Sequence, residues 1–410
     1  MHNSKARVDF TDPQIQVCPF SHYDEIRSVD PVYEDPGTGF STITRYADVR
    51  KATADTVNYS SQAGQIAVRS NSSVAEQVLR IYQEEGWPPV ASLVNNDPPD
   101  HGRFRRLVDK AFLPKYARAA EPHIRAITQR LCSELPIGAG FDCVPCFSLR
   151  LSLLVFSNEL GIPAADIDRW NDWANVLLEQ MNPDLAPERE IELTHRVCEM
   201  QRYLVERIEE VRAKPAENLL THLVQAAEEN AMTMGELLSV IQMFVPAGHE
   251  TTANAITSGI RRIAEDQELQ RNLRDRPQTI AAFVEEVLRL DAPVQGLFRR
   301  VLKDVEISGC PVAQGATLVL KWGAANRDPE KFPNPDQLDL ERGNAAQHLT
   351  FGHGAHFCIG NQLARAEMRI AFATLLEEFS SIRLDDSIGI KYTPHYFAYG
   401  ASRLGIIVNR

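Results

Sequence analysis

Phe351-Gly352-His353-Gly354-Ala355-His356-Phe357-Cys358-Ile359-Gly360 runs directly into a helix-like segment, Asn361 to Phe379. Glycines in such a stretch let the backbone take positive φ and pass close to a flat ligand face. A cysteine at a helix start meets unpaired N–H groups and the positive end of the macrodipole, and both favour sulfur as S⁻. Thiolate, not thiol, is the form that ligates a metal. Taken alone, Cys358 reads as a buried free cysteine in a Gly-rich loop. The pattern around it turns the reading toward a metal thiolate.

Composition bounds the rest. With 410 residues and 44% hydrophobic content the chain can bury a large core. No run approaches the ~20 apolar residues of a membrane span. The start, Met1-His2-Asn3-Ser4-Lys5-Ala6-Arg7, is polar, so a cytoplasmic protein without a membrane partner is expected. Seven cysteines (18, 132, 143, 146, 198, 310 and 358) lack regular spacing, which speaks for a reducing compartment and against a disulfide framework. Cys143-Val144-Pro145-Cys146 is formally a CxxC, but no second pair or histidine cluster accompanies it. A formal net charge of −12 argues against a nucleic-acid partner. Locally, Arg103, Arg106, Lys110, Lys115 and Arg118 form a basic cluster that suits either an acidic protein partner or a solvated helix face.

Helical patterns dominate: Pro122 to Leu135, Glu188 to Ala213, Thr233 to Glu265, Pro277 to Leu290 and Asn361 to Phe379 carry apolar residues at helical spacing. Strand-like runs are short, at Gly39 to Thr44, Val305 to Val312 and Thr317 to Leu320. The expected class is mainly α with small peripheral β-sheets (α+β), in one domain over 1–410. Its β-rich parts lie near 30–60, 300–320 and the C-terminus, and its helix-rich parts at 97–290 and 361–379. Thr233-Met234-Gly235-Glu236 has capping-box spacing and opens the longest helix. Within that helix, Pro246 cannot donate to the Gln242 carbonyl and Gly248 costs ~1 kcal/mol against Ala, so a local distortion is expected. The Thr251 hydroxyl turning to the Ala247 carbonyl would loosen the turn further. Glu250 beside Thr251 puts an acid and an alcohol at this weak turn, the parts of a proton relay. The apolar flank Met243-Phe244-Val245 speaks against an exposed polar face.

Phe351, Gly354, His356, Cys358 and Gly360 together match Phe-x-x-Gly-x-[His/Arg]-x-Cys-x-Gly, and on this loop the chain resembles the cytochrome P-450 superfamily, soluble bacterial type. Further segments follow in family order: Asp97-Pro98-Pro99-Asp100-His101 with Arg105, Ala247-Gly248-His249-Glu250-Thr251-Thr252, Glu286-Val287-Leu288-Arg289, and Asn326-Arg327-Asp328-Pro329 before Arg342. The resemblance implies the P450 fold, with haem b between the long oxygen-activating helix and the helix after the cysteine loop. It implies Cys358 as the axial iron ligand in the loop closed by Gly360. His101, Arg105, Arg299 and His356 become propionate contacts, and Glu250 and Thr251 the proton path. Glu286 and Arg289, with Arg342 as third member, become a buried support for the loop.

By position, Met243, Pro246, Ala247, Val294 and Leu297 line the substrate pocket, with Leu93, Val94 and Phe397 as weaker members. An apolar lining suits a small or medium hydrophobic substrate. The implied activity is a haem-thiolate monooxygenase that inserts one oxygen atom from O₂, as a hydroxylation or O-demethylation. Its electrons come from a separate ferredoxin or flavodoxin and an NAD(P)H-dependent reductase. Two alternatives stay open, an H₂O₂-dependent peroxygenase and a non-catalytic haem sensor or carrier.

Overall fold

Where apolar residues recur at three- and four-residue spacing, the computed structural model, which describes residues 8–62, 72–180 and 185–410, is helical. The principal helices are α1 (Tyr46–Ala54), α2 (Asp100–Asp109), α3 (Pro114–Glu134), α4 (Pro187–Ala213), α5 (Met234–Glu265), α6 (Ile280–Leu290) and α7 (Asn361–Glu378). In α6, Ile280, Phe283, Val284, Val287 and Leu288 form one buried stripe. α5 opens with the expected capping box: the Glu236 N–H donates to Thr233 Oγ1 at 3.2 Å and the Thr233 N–H to Glu236 Oε2 at 2.8 Å. It stays helical through Pro246, whose missing N–H leaves a gap in the ladder without breaking the helix. α3 begins eight residues before the expected Pro122, which lies inside it. Its first residue, Pro114, sits where no helical N–H is required.

The described chain divides into two compact units. The first takes the described parts of 1–63, 121–151 and 251–410. It holds the sheets: β1 (Tyr33–Glu34), β2 (Ser41–Ile43), β3 (Tyr59–Ser60), β4 (Gly140–Asp142), β5 (Leu297–Val301), β6 (Val305–Ile307), β7 (Cys310–Val312), β8 (Thr317–Leu320), β9 (Ser381–Leu384), β10 (Ile390–Tyr392) and β11 (Ala401–Asn409). One sheet has the order β1-β2-β8-β5-β3 and joins the early strands to those near 300–320. β11 pairs with β10, β4 and β9 in a second, while β6 and β7 form a hairpin. The first sheet packs Ile43, Leu318 and Leu320 against Val49 and Ala52 of α1, with Trp322 and Leu349. Residues 251–265 of α5 approach α7 closely at Gly259, where an added Cβ would stand 2.1 Å from the Phe372 ring.

The second unit takes the described parts of 64–120 and 152–250, and every regular element among its described residues is helical. Ile81 and Tyr82 pack on Leu193, Val197 and Cys198 of α4. Arg103 of α2 pairs with Glu236 at the start of α5, at 2.5 Å.

One buried cation stands out in the first unit. Lys321, at the end of β8, is 1% exposed. Its ammonium lies 4.5 Å from the centre of the Phe10 ring and 4.3 Å from that of Tyr396, and donates to the Tyr396 carbonyl at 3.2 Å. Burial pulls its pKa down to about 7, against the opposing charge of Asp35. The unfolded chain keeps this proton up to about pH 10.5, the folded chain only to about 7, so in that window stability rises with pH. The span corresponds to roughly 5 kcal/mol. Lys321→Met should abolish this rise; denaturation at about pH 6.5, 8 and 9.5 reads it, and parallel curves for the two proteins would refute it.

Candidate active site

The cysteine loop is shaped by its glycines. Gly352 and Gly354 have φ of +69° and +71°, a region that side-chain-bearing residues rarely enter. The Cys358 N–H donates to the Phe351 carbonyl at 2.8 Å, closing the loop just before α7. Asn361, the first residue of α7, donates from Nδ2 to the Cys358 carbonyl at 2.7 Å. Cys358 is half-buried, whereas Cys132, Cys143 and Cys198 are buried and burial pushes their thiols up to about 12, 12 and 11. Cys146 of the CxxC is exposed, and both its cysteines are free.

A carboxylate ties this loop to α6. Glu285 accepts from Arg365 Nε and Nη2 at 2.6 and 3.0 Å and lies 3.3 Å from His348 Nε2. Burial acts to raise its pKa, but His348 and Arg365 outweigh burial and hold it at about 2. The Thr350 N–H donates to His348 Nδ1, so the imidazole carries its proton on Nε2, toward Glu285. Arg365 also donates to Asn361 Oδ1 at 2.9 Å and stacks over Phe351 at 4.4 Å. Nothing in the sequence pattern singled out Glu285, His348, Asn361 or Arg365. The available signal was Glu285 standing next to Glu286, with Arg365 one helical turn beyond Asn361.

The expected support trio does come together. Arg289 donates to Glu286 at 2.6 and 2.9 Å with both side chains fully buried, and Arg342 Nε stands 3.2 Å from Glu286. Arg289 also donates to the carbonyls of Asn326, Pro335 and Gln337. Asn326 in turn bonds Thr350 Oγ1 and accepts from the Leu349 N–H, so the network reaches the residue before Phe351.

The cationic residues fall in both units. In the first, Arg299 of β5 is buried and donates to the Phe298 carbonyl at 2.8 Å, while His356 Nε2 lies 3.1 Å from Ser61 Oγ. Sequence reasoning gave Ser61 no role. In the second, burial and then the neighbouring Arg105 charge lower the pKa of His101. Arg105 itself reaches Asp109 at 2.7 Å. Of the basic cluster, Lys110 pairs with Glu229 and Lys115 covers the Tyr116 ring.

Thr251 lies in the first unit and Glu250 ends the second. Burial raises the Glu250 pKa, which favours the neutral acid. Phe244 and Val245 beside it are buried, Phe244 against Phe112 at 5.1 Å. Met243 Sδ accepts from Ser92 Oγ at 3.7 Å, which brings the Leu93-Val94 loop to α5; Leu93 is buried and Val94 exposed. Pro246 is half-buried and Ala247 exposed on the same helix. In the first unit, Val294 and Leu297 are half-buried and adjoin the segment of Phe397. Val294 bridges Ala398, and the Gln295 N–H donates to the Phe397 carbonyl at 2.7 Å.

Residues 63–394 match the family model for cytochrome P450. The chain belongs to the cytochrome P450 family. Cytochrome P450 107B1 of Saccharopolyspora erythraea is 33% identical over 83% of this chain and 82% of its own. The vitamin D(3) 25-hydroxylase of Pseudonocardia autotrophica is 31% identical, covering 95% and 93%. The crystal structure of CYP109E1 from Bacillus megaterium in complex with corticosterone superposes with a TM-score of 0.84, at 30% identity and coverage of 97% and 100%. P450 enzymes are haem-binding oxidoreductases that normally take electrons from redox partners, so this chain is a P450 monooxygenase with a haem cofactor. No described helix is long and apolar enough to cross a membrane.

The residues present fit a haem. Cys358 supplies a sulfur donor that is not sealed in the core. A Cβ at Gly360 would meet nothing within 4 Å, which leaves room beside the loop for a flat macrocycle. Arg299 and His356 supply cationic and hydrogen-bonding groups for carboxylates. The Glu285 shift from 4.5 to about 2 makes its charge worth roughly 3 kcal/mol, present above pH 4.5 and lost as pH falls toward 2. Glu285→Gln should lower the thermal midpoint at neutral pH by several degrees, with the gap narrowing below pH 4.5; equal midpoints at pH 7 would sink the assignment.

Proposed function

We propose that Cys358 is the axial thiolate of the haem and that the enzyme inserts one oxygen atom from O₂ into a small or medium hydrophobic molecule, by hydroxylation or O-demethylation. The observation that carries this is the half-buried Cys358 just before α7, its backbone carbonyl held by Asn361, which Arg365 holds in turn. When bound, haem supplies the activation of dioxygen. The protein supplies the rest. In the first unit His356 and Arg299 are propionate contacts, and the resemblance gives His101 and Arg105 in the second unit the same role. The α7 N-terminus keeps Cys358 Sγ as S⁻. Glu286, Arg289 and Arg342 fix the meander that precedes the loop.

Glu250 exchanges a proton at its carboxyl, whose hold on it burial strengthens, and Thr251 Oγ1 passes that proton inward. A peroxygenase has no use for this acid and alcohol pair, which favours O₂ as oxidant. Sequence position assigns a substrate role to Met243, Pro246 and Ala247 in the second unit, and to Val294, Leu297 and Phe397 in the first. The corticosterone of the Bacillus megaterium complex and the vitamin D(3) in the name of the Pseudonocardia relative support a hydrophobic substrate. Electrons come from a separate ferredoxin or flavodoxin and its NAD(P)H-dependent reductase. The two units act as one P450 domain over 1–410, because each is assembled from discontinuous stretches of chain.

The reduced, CO-bound protein should show the red-shifted Soret band of thiolate-ligated haem, and Cys358→Ser should lose it; an imidazole-type band in the wild type overturns the ligand assignment. With a surrogate ferredoxin and reductase, Thr251→Ala should divert most NAD(P)H electrons to hydrogen peroxide. Unchanged coupling would dismiss the relay. In the wild type, turnover should decline as pH rises through the raised Glu250 pKa, and Glu250→Gln should flatten that alkaline limb while cutting the rate about 10²-fold.

A further inference from the structure

The loop between β10 and β11 presents Phe397, and its conformation is fixed by a histidine that no motif marks. His395 Nδ1 accepts the N–H groups of both Phe397, at 3.2 Å, and Ala398, at 3.1 Å. An atom that accepts two N–H groups carries no proton, so the ring is neutral with its hydrogen on Nε2. Desolvation lowers the His395 pKa, in keeping with that form. The carbonyls of the same turn are held as well. Tyr396 accepts from Lys321 Nζ at 3.2 Å and Phe397 from the Gln295 N–H at 2.7 Å. Backbone freedom at Phe397 is therefore removed from both directions.

The side chain is held too. The His395 ring meets the Phe397 ring edge-on at 4.3 Å and 84°, and Phe298 meets it from another direction at 6.2 Å and 83°. Phe298 is itself fixed, stacked on Tyr396 at 5.8 Å and packed edge-on against Phe40 at 5.9 Å. The Tyr396 hydroxyl donates to the buried carboxylate of Asp35 at 3.1 Å. Edge-to-face pairs of this kind resist rotation of the ring between them.

We propose that His395 is a positioning residue for substrate selection: its Nδ1 sets the turn and its ring sets the angle of Phe397, so that Phe397 offers a rigid aromatic surface to flat apolar or aromatic groups of the substrate. The role rests on the assignment of Phe397 to the substrate pocket. Two properties of His395 are separable. Asn keeps a short side-chain acceptor able to bond the backbone two residues on, and Phe keeps the ring without the acceptor.

The test uses the haem-loaded protein with imidazole and 4-phenylimidazole as probes, read as Soret shifts, together with hydrogen exchange of the amides of Phe397 and Ala398. His395→Phe should speed exchange of both amides at least about tenfold and reduce the preference for 4-phenylimidazole over imidazole by about three- to tenfold. His395→Asn should restore amide protection and recover part of the preference. Imidazole affinity should stay level in both variants, which certifies an intact iron site. If His395→Phe keeps the wild-type preference and amide protection while the CO spectrum is normal, the role of His395 is overturned and the haem-thiolate assignment stands. A wild type without the thiolate spectrum overturns that assignment, and the selection role falls with it.

Discussion

The carboxylate of Glu285 is the charge on which the cysteine loop depends. It sits on α6, yet its partners are His348, before the loop, and Arg365, in the helix after it. A half-buried carboxylate is tolerated only where such partners satisfy it, and removing one partner leaves an uncompensated charge. Through Arg365 the same group reaches Asn361, and through Asn361 the carbonyl of Cys358. Cys358 is thus positioned through hydrogen bonds to its own backbone.

A second acid, the fully buried Glu286, works on the chain that leads into the loop. Glu286 and Arg289 bind each other; Arg289 donates to the carbonyls of a meander without regular structure and Glu286 accepts the Asp339 N–H, so backbone groups with no helical or sheet partner are satisfied. Adjacent glutamates on one helix therefore serve different clients. Glu285 faces the segment around Cys358 and Glu286 the segment from Asn326 to Arg342.

Much of this was legible in the sequence. Helical periodicity marked α4 to α7, since each has a stripe of apolar residues long enough to outweigh local ambiguity. Cys358, Glu286 and Arg289 were visible because glycine spacing and an i,i+3 charge pair are local patterns. Strand β4 was not visible, since three residues show no alternation and Gly140 to Asp142 become a strand only because β11 offers them an edge. Glu285, His348, Ser61 and Lys321 were missed for a related reason. Their partners lie far along the chain, as Ser61 and His356 do, and a single sequence carries no record of such pairs. His395 was missed although its partners are two and three residues on, because a lone histidine before a turn has no motif of its own.

Gly259 gives the first unit a mechanical property. Phe372 fills the space that a side chain at 259 would need, so the helix bearing Thr251 rests on the helix that begins beside Cys358 with no room for a methyl group between them. Their separation is fixed by contact and not by the length of chain from 266 to 360. Any side chain larger than hydrogen at 259 would therefore widen the gauge between the two helices, much as a spacer driven between two rails.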